Sequence, residues 1–176
     1  MKYRAPKTHY CKTRAEFDIA VGSDFIEHAN RVTKAGDQFL VGLSHGQSPS
    51  GAYEYILEHY SELKHPALIH YTFVNSKLKR QRGLVDVRDA ISFVKELLQS
   101  KRISKDQIIG RSLERDNIEK YKDGLNRSLS AYLKKLNKTG LDYVFLASNP
   151  GGQGAGISRN SIAFDSDDLV GVVKDN

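Results

Sequence analysis

The sequence predicts an α/β fold with three layers: a mostly parallel β-sheet with helices on both of its faces. Short apolar runs, typical of strands that are buried on both sides, alternate along the chain with longer amphipathic segments of helical spacing. Small or polar residues follow the apolar runs, as expected where parallel strands end in loops. The 176 residues, 39% of them hydrophobic, are enough for one sizeable core, so we expect a single domain over 1–176.

The first half of the chain predicts an opening helix followed by two strand, loop and helix units. Thr13 and Glu16 have the spacing of a capping box, and Gly36 is a stop signal after the apolar positions that follow. The expected elements are, in order, a helix over 14–34, a strand over 38–43, a helix over 50–63, a strand over 67–74 and a helix whose cap is Asp86.

The second half continues the alternation with weaker signals. Gly124 lies inside a long helical pattern, which costs some helix stability without breaking it. The expected elements are a short strand over 107–109, a helix from about Ile118 to Leu136, a strand over 141–147, a glycine-rich loop over 148–160 and a last strand over 169–173.

In a parallel sheet, the loops that follow the strands lie together at the carboxyl edge, where α/β proteins bind their ligands. Three loops are therefore expected at this edge, over 44–51, 75–85 and 148–160. The first reads Ser44-His-Gly-Gln-Ser-Pro-Ser-Gly, between a buried strand and a helix. Small side chains let backbone N–H groups reach an anion, and a helix N-terminus favours negative charge. The alternative is a tight turn with a serine cap and no ligand.

The charge of the chain favours an anionic partner. The formal net charge is +6, and the densest basic cluster is Lys77-Leu-Lys-Arg-Gln-Arg82. Phosphorylated metabolites and nucleic acids are the two obvious classes of partner. Nucleic acid is the less favoured one, because the cluster has no interleaved aromatic residues on which bases could stack. A solvated loop rim is the other interpretation of the cluster.

Other features bear on cofactors and location. The histidines lack the spacing of metal ligands, so neither a metal nor another cofactor is expected. A single cysteine, Cys11, fits a reducing compartment. The sequence shows no apolar run of roughly 20 residues and no apolar stretch after the basic N-terminus, so we expect no membrane association and a cytoplasmic location.

The first loop resembles the signature Ser-Gly-Gly-Ser-Thr-Pro-x-Gly-x-Tyr of the glucosamine-6-phosphate isomerase (deaminase) and 6-phosphogluconolactonase family. Ser48 conservatively replaces threonine, whereas His45 and Gln47 depart from the signature. The order of the surrounding elements also agrees, over about 12–173, which implies a Rossmann-like, sugar-phosphate isomerase-like fold. The coinciding positions are Ser44, Gly46, Pro49, Gly51 and Tyr53.

The resemblance implies a site for a phosphorylated sugar such as a hexose phosphate. The phosphate is expected at the first loop, and further contacts are expected from the second and third loops. The residues assigned to binding are Ser44, Gly46, Gln47, Ser48, Lys77, Gly151, Gly152 and Arg159.

The residues that move protons in this family are replaced here. Asn75 stands where the family has an aspartate base, Gly151 where it has a second aspartate, and Gln153 where it has a histidine. An amide can orient a group but cannot take up a proton near neutral pH. We therefore expect impaired catalysis. His45, a titratable group inside the first loop, is the remaining candidate for a base, although a phosphate contact is the favoured role for it.

The chain is also shorter at its C-terminus than this family's usual pattern. An uncovered sheet edge favours association, so a homodimer or a partner subunit is expected. The leading interpretation is a sugar-phosphate-binding protein that acts as a sensor or regulatory subunit. The alternatives are an active deaminase or lactonase with rearranged catalytic groups and, from another class, a basic nucleic-acid-binding module.

Overall fold

The computed structural model describes residues 10–44, 46, 48–74, 90–109 and 118–146. These ranges contain four α-helices and three β-strands, joined in places by short 3₁₀ helices. They are α1 (Arg14–Thr33), β1 (Phe39–Leu43), α2 (Ser50–Glu58), β2 (Ile69–Phe73), α3 (Ala90–Gln99), α4 (Ile118–Lys135) and β3 (Tyr143–Val144).

The strands form one parallel sheet in the order β2-β1-β3, with β1 in the centre. Leu43 at the end of β1 pairs with Phe73 of β2, and Gly42 pairs with Val144 of β3. A single parallel bridge joins Tyr71 to Ile108 on the outer side of β2. The predicted parallel arrangement is thus confirmed.

Helices cover both faces of the sheet, which confirms the three layers. Phe39, Val41 and Leu43 alternate along β1 and belong to a core shared with α1, α2 and α3. Leu40, which points to the opposite face, packs with Leu133 of α4. All five residues of β1 are buried, as expected for the central strand of such a sheet.

The start of α1 follows from its first residues. The Thr13 side chain accepts a hydrogen bond from the Glu16 backbone N–H at 3.1 Å. The Glu16 carboxylate accepts one from the Lys12 backbone N–H at 2.8 Å, one residue earlier than in the usual capping box. The chain then leaves the helix through Gly36, whose φ of +83° is easily adopted only by glycine.

A close contact between α1 and α2 sets the position of the first loop. A Cβ atom at Gly22 would overlap the ring of Tyr55. Glycine therefore lets the two helices approach closely, and the same packing brings the first turns of α1 beside the start of α2.

Several boundaries differ from the sequence prediction. The helix expected over 50–63 is α2 followed by a 3₁₀ turn at Tyr60–Glu62, where the Tyr60 hydroxyl donates to the Arg102 carbonyl at 3.0 Å. Pro66–Leu68 form another 3₁₀ turn before β2, because proline fixes φ and lacks an N–H. The strand expected over 107–109 is reduced to the bridge at Ile108.

Some predicted features, the second loop over 75–85 among them, cannot be compared with the structure. The cap at Asp86, the glycine-rich loop over 148–160 and the strand over 169–173 lie outside the described residues. Within the described ranges, none of the helices combines the length and apolar character that crossing a membrane requires.

Candidate functional site

The candidate site is the carboxyl edge of the sheet, where the three strands end side by side. The Val74 N–H donates to the Leu43 carbonyl at 2.9 Å, and the Phe145 N–H donates to the Gly42 carbonyl at 2.9 Å. The chain therefore enters its first, second and third predicted loops from adjacent positions at one edge, as the parallel order requires.

Tyr53 fixes the first residue of the first loop. Ser44 is fully buried at the end of β1. The Tyr53 hydroxyl donates to its carbonyl at 2.9 Å and accepts from its backbone N–H at 3.1 Å. The Tyr53 ring is itself fully buried and stacks on Phe93, with 4.8 Å between the ring centroids. The tyrosine of the signature thus holds the first residue of the loop, Ser44, from the core side.

The loop then turns into α2 through small residues. Gly46 is exposed and has a φ of +111°, which strains any residue with a Cβ atom. Ser48 is half-buried. The N-cap of α2 is Pro49, and no side chain caps the helix there. The alternative interpretation of this loop, a tight turn with a serine cap, therefore lacks its cap, because proline occupies the cap position.

Two side chains of α1 hold the other end of the loop. The Arg14 Nη2 atom donates to the Ser48 carbonyl at 2.7 Å. Its Nε atom lies 2.8 Å from both carboxylate oxygens of Asp18. The Asp18 carboxylate rests against Gly51 in the first turn of α2, where a Cβ atom would overlap it.

Sequence reasoning missed both Arg14 and Asp18. Their spacing of four residues predicts an ion pair on a helix surface, but nothing local shows that this pair reaches Ser48. The only signal was the glycine at position 51, which the signature contains and which the close approach of Asp18 requires.

A cleft of about 290 Å³ opens between α1, the first loop and the end of β3. Its lining is mostly apolar, and three of its side chains are exposed: Phe17 at 40%, Val144 at 36% and Leu146 at 66%. An apolar surface beside a polar loop suits a ligand with one polar end and one C–H-rich face. The lining residues are Phe17, Val21, Ser48, Pro49, Tyr143, Val144, Phe145 and Leu146.

Of the predicted site residues, Ser44, Gly46 and Ser48 lie among the described residues, all in the loop between β1 and α2, and their role in binding stays a prediction. The other predicted site residues lie outside the described residues, so their roles stay predictions. They are His45, Gln47, Asn75, Lys77, Gly151, Gly152, Gln153 and Arg159.

Burial, and then the charge of Asp24, raises the pKa of Tyr143, which lines the cleft. Two other groups with shifted pKa values lie away from the carboxyl edge. Burial, and then the charge of Lys135, lowers the pKa of His70 on β2, whose ring nitrogens contact Tyr132 and Gln38. Burial raises the pKa of Tyr60 to about 12. In the part of the chain that the structure describes, no three acidic, histidine or cysteine side chains are grouped so that they could hold a metal ion.

No protein-family model matches the sequence, and no curated protein does so either. Among the solved structures that are similar to the chain, two share 16% identity with it over 82% of its length. One is a 6-phosphogluconolactonase from Plasmodium vivax, with a TM-score of 0.64. The other is a monomeric glucosamine-6-phosphate deaminase, with a TM-score of 0.55.

The chain spans about half the length of these two proteins: 49% of the lactonase and 56% of the deaminase. At this level of identity the likeness concerns the fold. The order of the elements, the parallel sheet and the loop between β1 and α2 agree with the resemblance seen in the sequence. The chain therefore has the α/β fold found in a 6-phosphogluconolactonase and in a glucosamine-6-phosphate deaminase.

Proposed function

We propose that this protein binds a phosphorylated sugar at the carboxyl edge of its sheet, with the phosphate on the first loop, residues 44–51. The observation that carries the proposal is the way this loop is built. It leaves a buried central strand, turns at a glycine with φ of +111°, and enters the N-terminus of α2. Such loops bind phosphate through backbone N–H groups and the helix dipole.

Both ends of the loop are anchored to the rest of the protein. Tyr53 holds Ser44 from the core, and Arg14 holds Ser48 from α1. A loop that is held in place before its ligand arrives loses less conformational freedom on binding. This favours a ligand site over a turn whose only task is to connect β1 to α2.

The proposed protein binds its ligand without the proton transfers that a deaminase or a lactonase performs. The support comes from the sequence, in which amide or glycine residues occupy the positions of the acid and base groups: Asn75, Gly151 and Gln153. General acid and base groups contribute factors of about 10² to 10⁴ each. A sensor or regulatory subunit is the role that fits binding without turnover.

Isothermal titration calorimetry tests the proposal. Glucosamine 6-phosphate and 6-phosphogluconate are the ligands, and glucosamine is the control without a phosphate. We expect at least one phosphorylated sugar to bind at micromolar to millimolar concentration and glucosamine not to bind. Heat from neither phosphorylated sugar, nor from any other hexose phosphate, would overturn the proposal.

A matched pair of glycine variants assigns the binding to the loop. Gly46 and Gly36 both have positive φ, and an added Cβ atom would meet nothing within 4 Å at either position. Gly46→Ala and Gly36→Ala therefore introduce a similar backbone strain, of about 1 to 3 kcal/mol. Only Gly46→Ala is expected to weaken binding, because Gly36 lies at the other end of β1. Equal affinities for the two variants would place the ligand elsewhere.

Coupled assays on the same protein separate binding from catalysis. We expect neither deamination of glucosamine 6-phosphate nor hydrolysis of the lactone. Turnover that is lost in His45→Ala would show an active enzyme that uses this histidine as its base.

Association with a second copy or a partner subunit is part of the proposal as well. Light scattering on the purified chain should show a dimer if the partner is a second copy.

A further inference from the structure

We propose that Arg14 and Asp18 form a charge-neutral clamp that positions the first loop for its anion. The proposal rests on the proposed function, since it concerns how the same site is held. Neither side chain is assigned to chemistry: both act through the backbone of the loop and through the charge that they place beside it.

The Arg14 side chain connects α1 to the loop. Its guanidinium donates through Nη2 to the Ser48 carbonyl at 2.7 Å and through Nε to Asp18 at 2.8 Å. It also lies over the ring of Phe17, 5.7 Å from the ring centroid. The planar group therefore has a fixed orientation, with separate donors for the carboxylate and for the loop carbonyl.

The solvent exposure of the pair indicates that it positions the loop rather than stabilises the fold. The Arg14 side chain is 53% exposed and that of Asp18 is 17% exposed. Solvent screens a pair whose arginine is this exposed, so its contribution to stability is small although Asp18 is half-buried. A hydrogen bond between elements 34 residues apart in sequence, by contrast, decides where the Ser48 carbonyl points. The clamp is therefore expected to affect the shape of the loop more than the stability of the fold.

The position of Asp18 explains why the clamp has to be neutral. Its carboxylate rests on the first turn of α2, at the positive end of the helix dipole. An anion bound to the loop would use the same end of this helix, so an uncompensated carboxylate there would repel it. Arg14 supplies the compensating charge within hydrogen-bond distance.

Gly51 leaves the space that the Asp18 carboxylate occupies. A Cβ atom at this position would overlap the Asp18 carboxylate, so the clamp closes only because the residue is glycine. Gly51, one of the signature positions of the loop, thus has a specific contact in this protein.

The test compares the wild type with Arg14→Gln, Asp18→Asn and the double variant. Arg31→Gln is the matched control, because Arg31 is on the same helix and contacts His28, away from the loop. Calorimetry with glucosamine 6-phosphate, and with inorganic phosphate as a minimal probe, gives the affinities. Thermal unfolding of each protein verifies that the fold is retained.

We expect Arg14→Gln to weaken binding about tenfold, since it both frees the Ser48 carbonyl and leaves the Asp18 charge uncompensated. Asp18→Asn should bind at least as tightly as the wild type. The double variant should recover part of the loss and bind roughly threefold more tightly than Arg14→Gln, because the repelling charge is gone. Unfolding temperatures should stay within about 4 °C of the wild type.

The outcomes distinguish the clamp from the function on which it rests. If the wild type binds neither probe, nor 6-phosphogluconate or any other hexose phosphate, the proposed function and the clamp are both overturned. If the wild type binds and Arg14→Gln binds as tightly as Arg31→Gln, only the clamp is overturned. A double variant as weak as Arg14→Gln also overturns it, because the charge of Asp18 then has no effect.

Discussion

The hydroxyl of Tyr53 should be a main support of the first loop, and Tyr53→Phe removes it alone. The ring would remain stacked on Phe93 and in edge contact with Phe145. The two hydrogen bonds to the backbone of Ser44, at 2.9 and 3.1 Å, would be lost. Because Ser44 and Tyr53 are both fully buried, water cannot readily replace the hydroxyl.

The expected loss of stability follows from the two hydrogen bonds. A hydrogen bond in a protein contributes about 0.5 to 1.5 kcal/mol net, and a buried polar group left without its partner costs about 1 to 3 kcal/mol. We therefore expect Tyr53→Phe to lower the free energy of unfolding by about 2 to 3 kcal/mol. For a protein of this size the unfolding temperature should fall by about 4 to 12 °C.

Urea denaturation followed by circular dichroism measures the difference. Tyr55→Phe is the matched control: Tyr55 is on the same helix, and within the described ranges its hydroxyl makes no hydrogen bond. That variant should stay within about 0.5 kcal/mol of the wild type. Equal stability of the two phenylalanine variants would refute the role assigned to the Tyr53 hydroxyl.

Three further predictions concern packing and pH. Gly22→Ala should lower the free energy of unfolding by about 1 to 2 kcal/mol, although alanine favours helices, because the added methyl group overlaps the Tyr55 ring; urea denaturation measures it, and a stabilised variant would contradict the close helix packing. Gly51→Ala should lower the free energy of unfolding more in the wild type than in the Asp18→Ala variant, since the added Cβ atom overlaps the Asp18 carboxylate. A double-mutant cycle measures this difference, and a coupling energy of zero would show that the two side chains do not overlap. Burial lowers the pKa of His70 below its ordinary 6.5, so the unfolded chain takes up the proton before the folded one does, and the free energy of unfolding should fall as the pH drops below about 6.5. His70→Gln should weaken this pH dependence, measured by denaturation between about pH 8 and 5. An unchanged pH dependence would show that His70 does not cause it.

The sequence predicted the parts of the fold that depend on local patterns. The capping residue Thr13 and the apolar spacing after it place α1 within one residue of its observed end, Thr33. The apolar run before Ser44 likewise predicts β1, because a central parallel strand is buried on both faces. In both cases the signal and the structure lie within the same few residues.

What the sequence did not predict depends on contacts between distant segments. The end of α2 at Glu58 coincides with a hydrogen bond from Tyr60 to Arg102, more than 40 residues away in the chain. The link from Arg14 to the Ser48 carbonyl is equally invisible to a local pattern. The first loop could be recognised from its glycine and serine residues, whereas the side chains that position it could not.

The proposed site can be tested most directly at the backbone amides of the first loop. A ¹⁵N-labelled sample titrated with glucosamine 6-phosphate should show saturable chemical-shift changes at the amides of Gly46, Ser48 and Gly51. Glucosamine, which lacks the phosphate, should leave these amides unchanged. If the phosphorylated sugar moves none of them at millimolar concentration, or if glucosamine moves them equally, this loop is not a phosphate site.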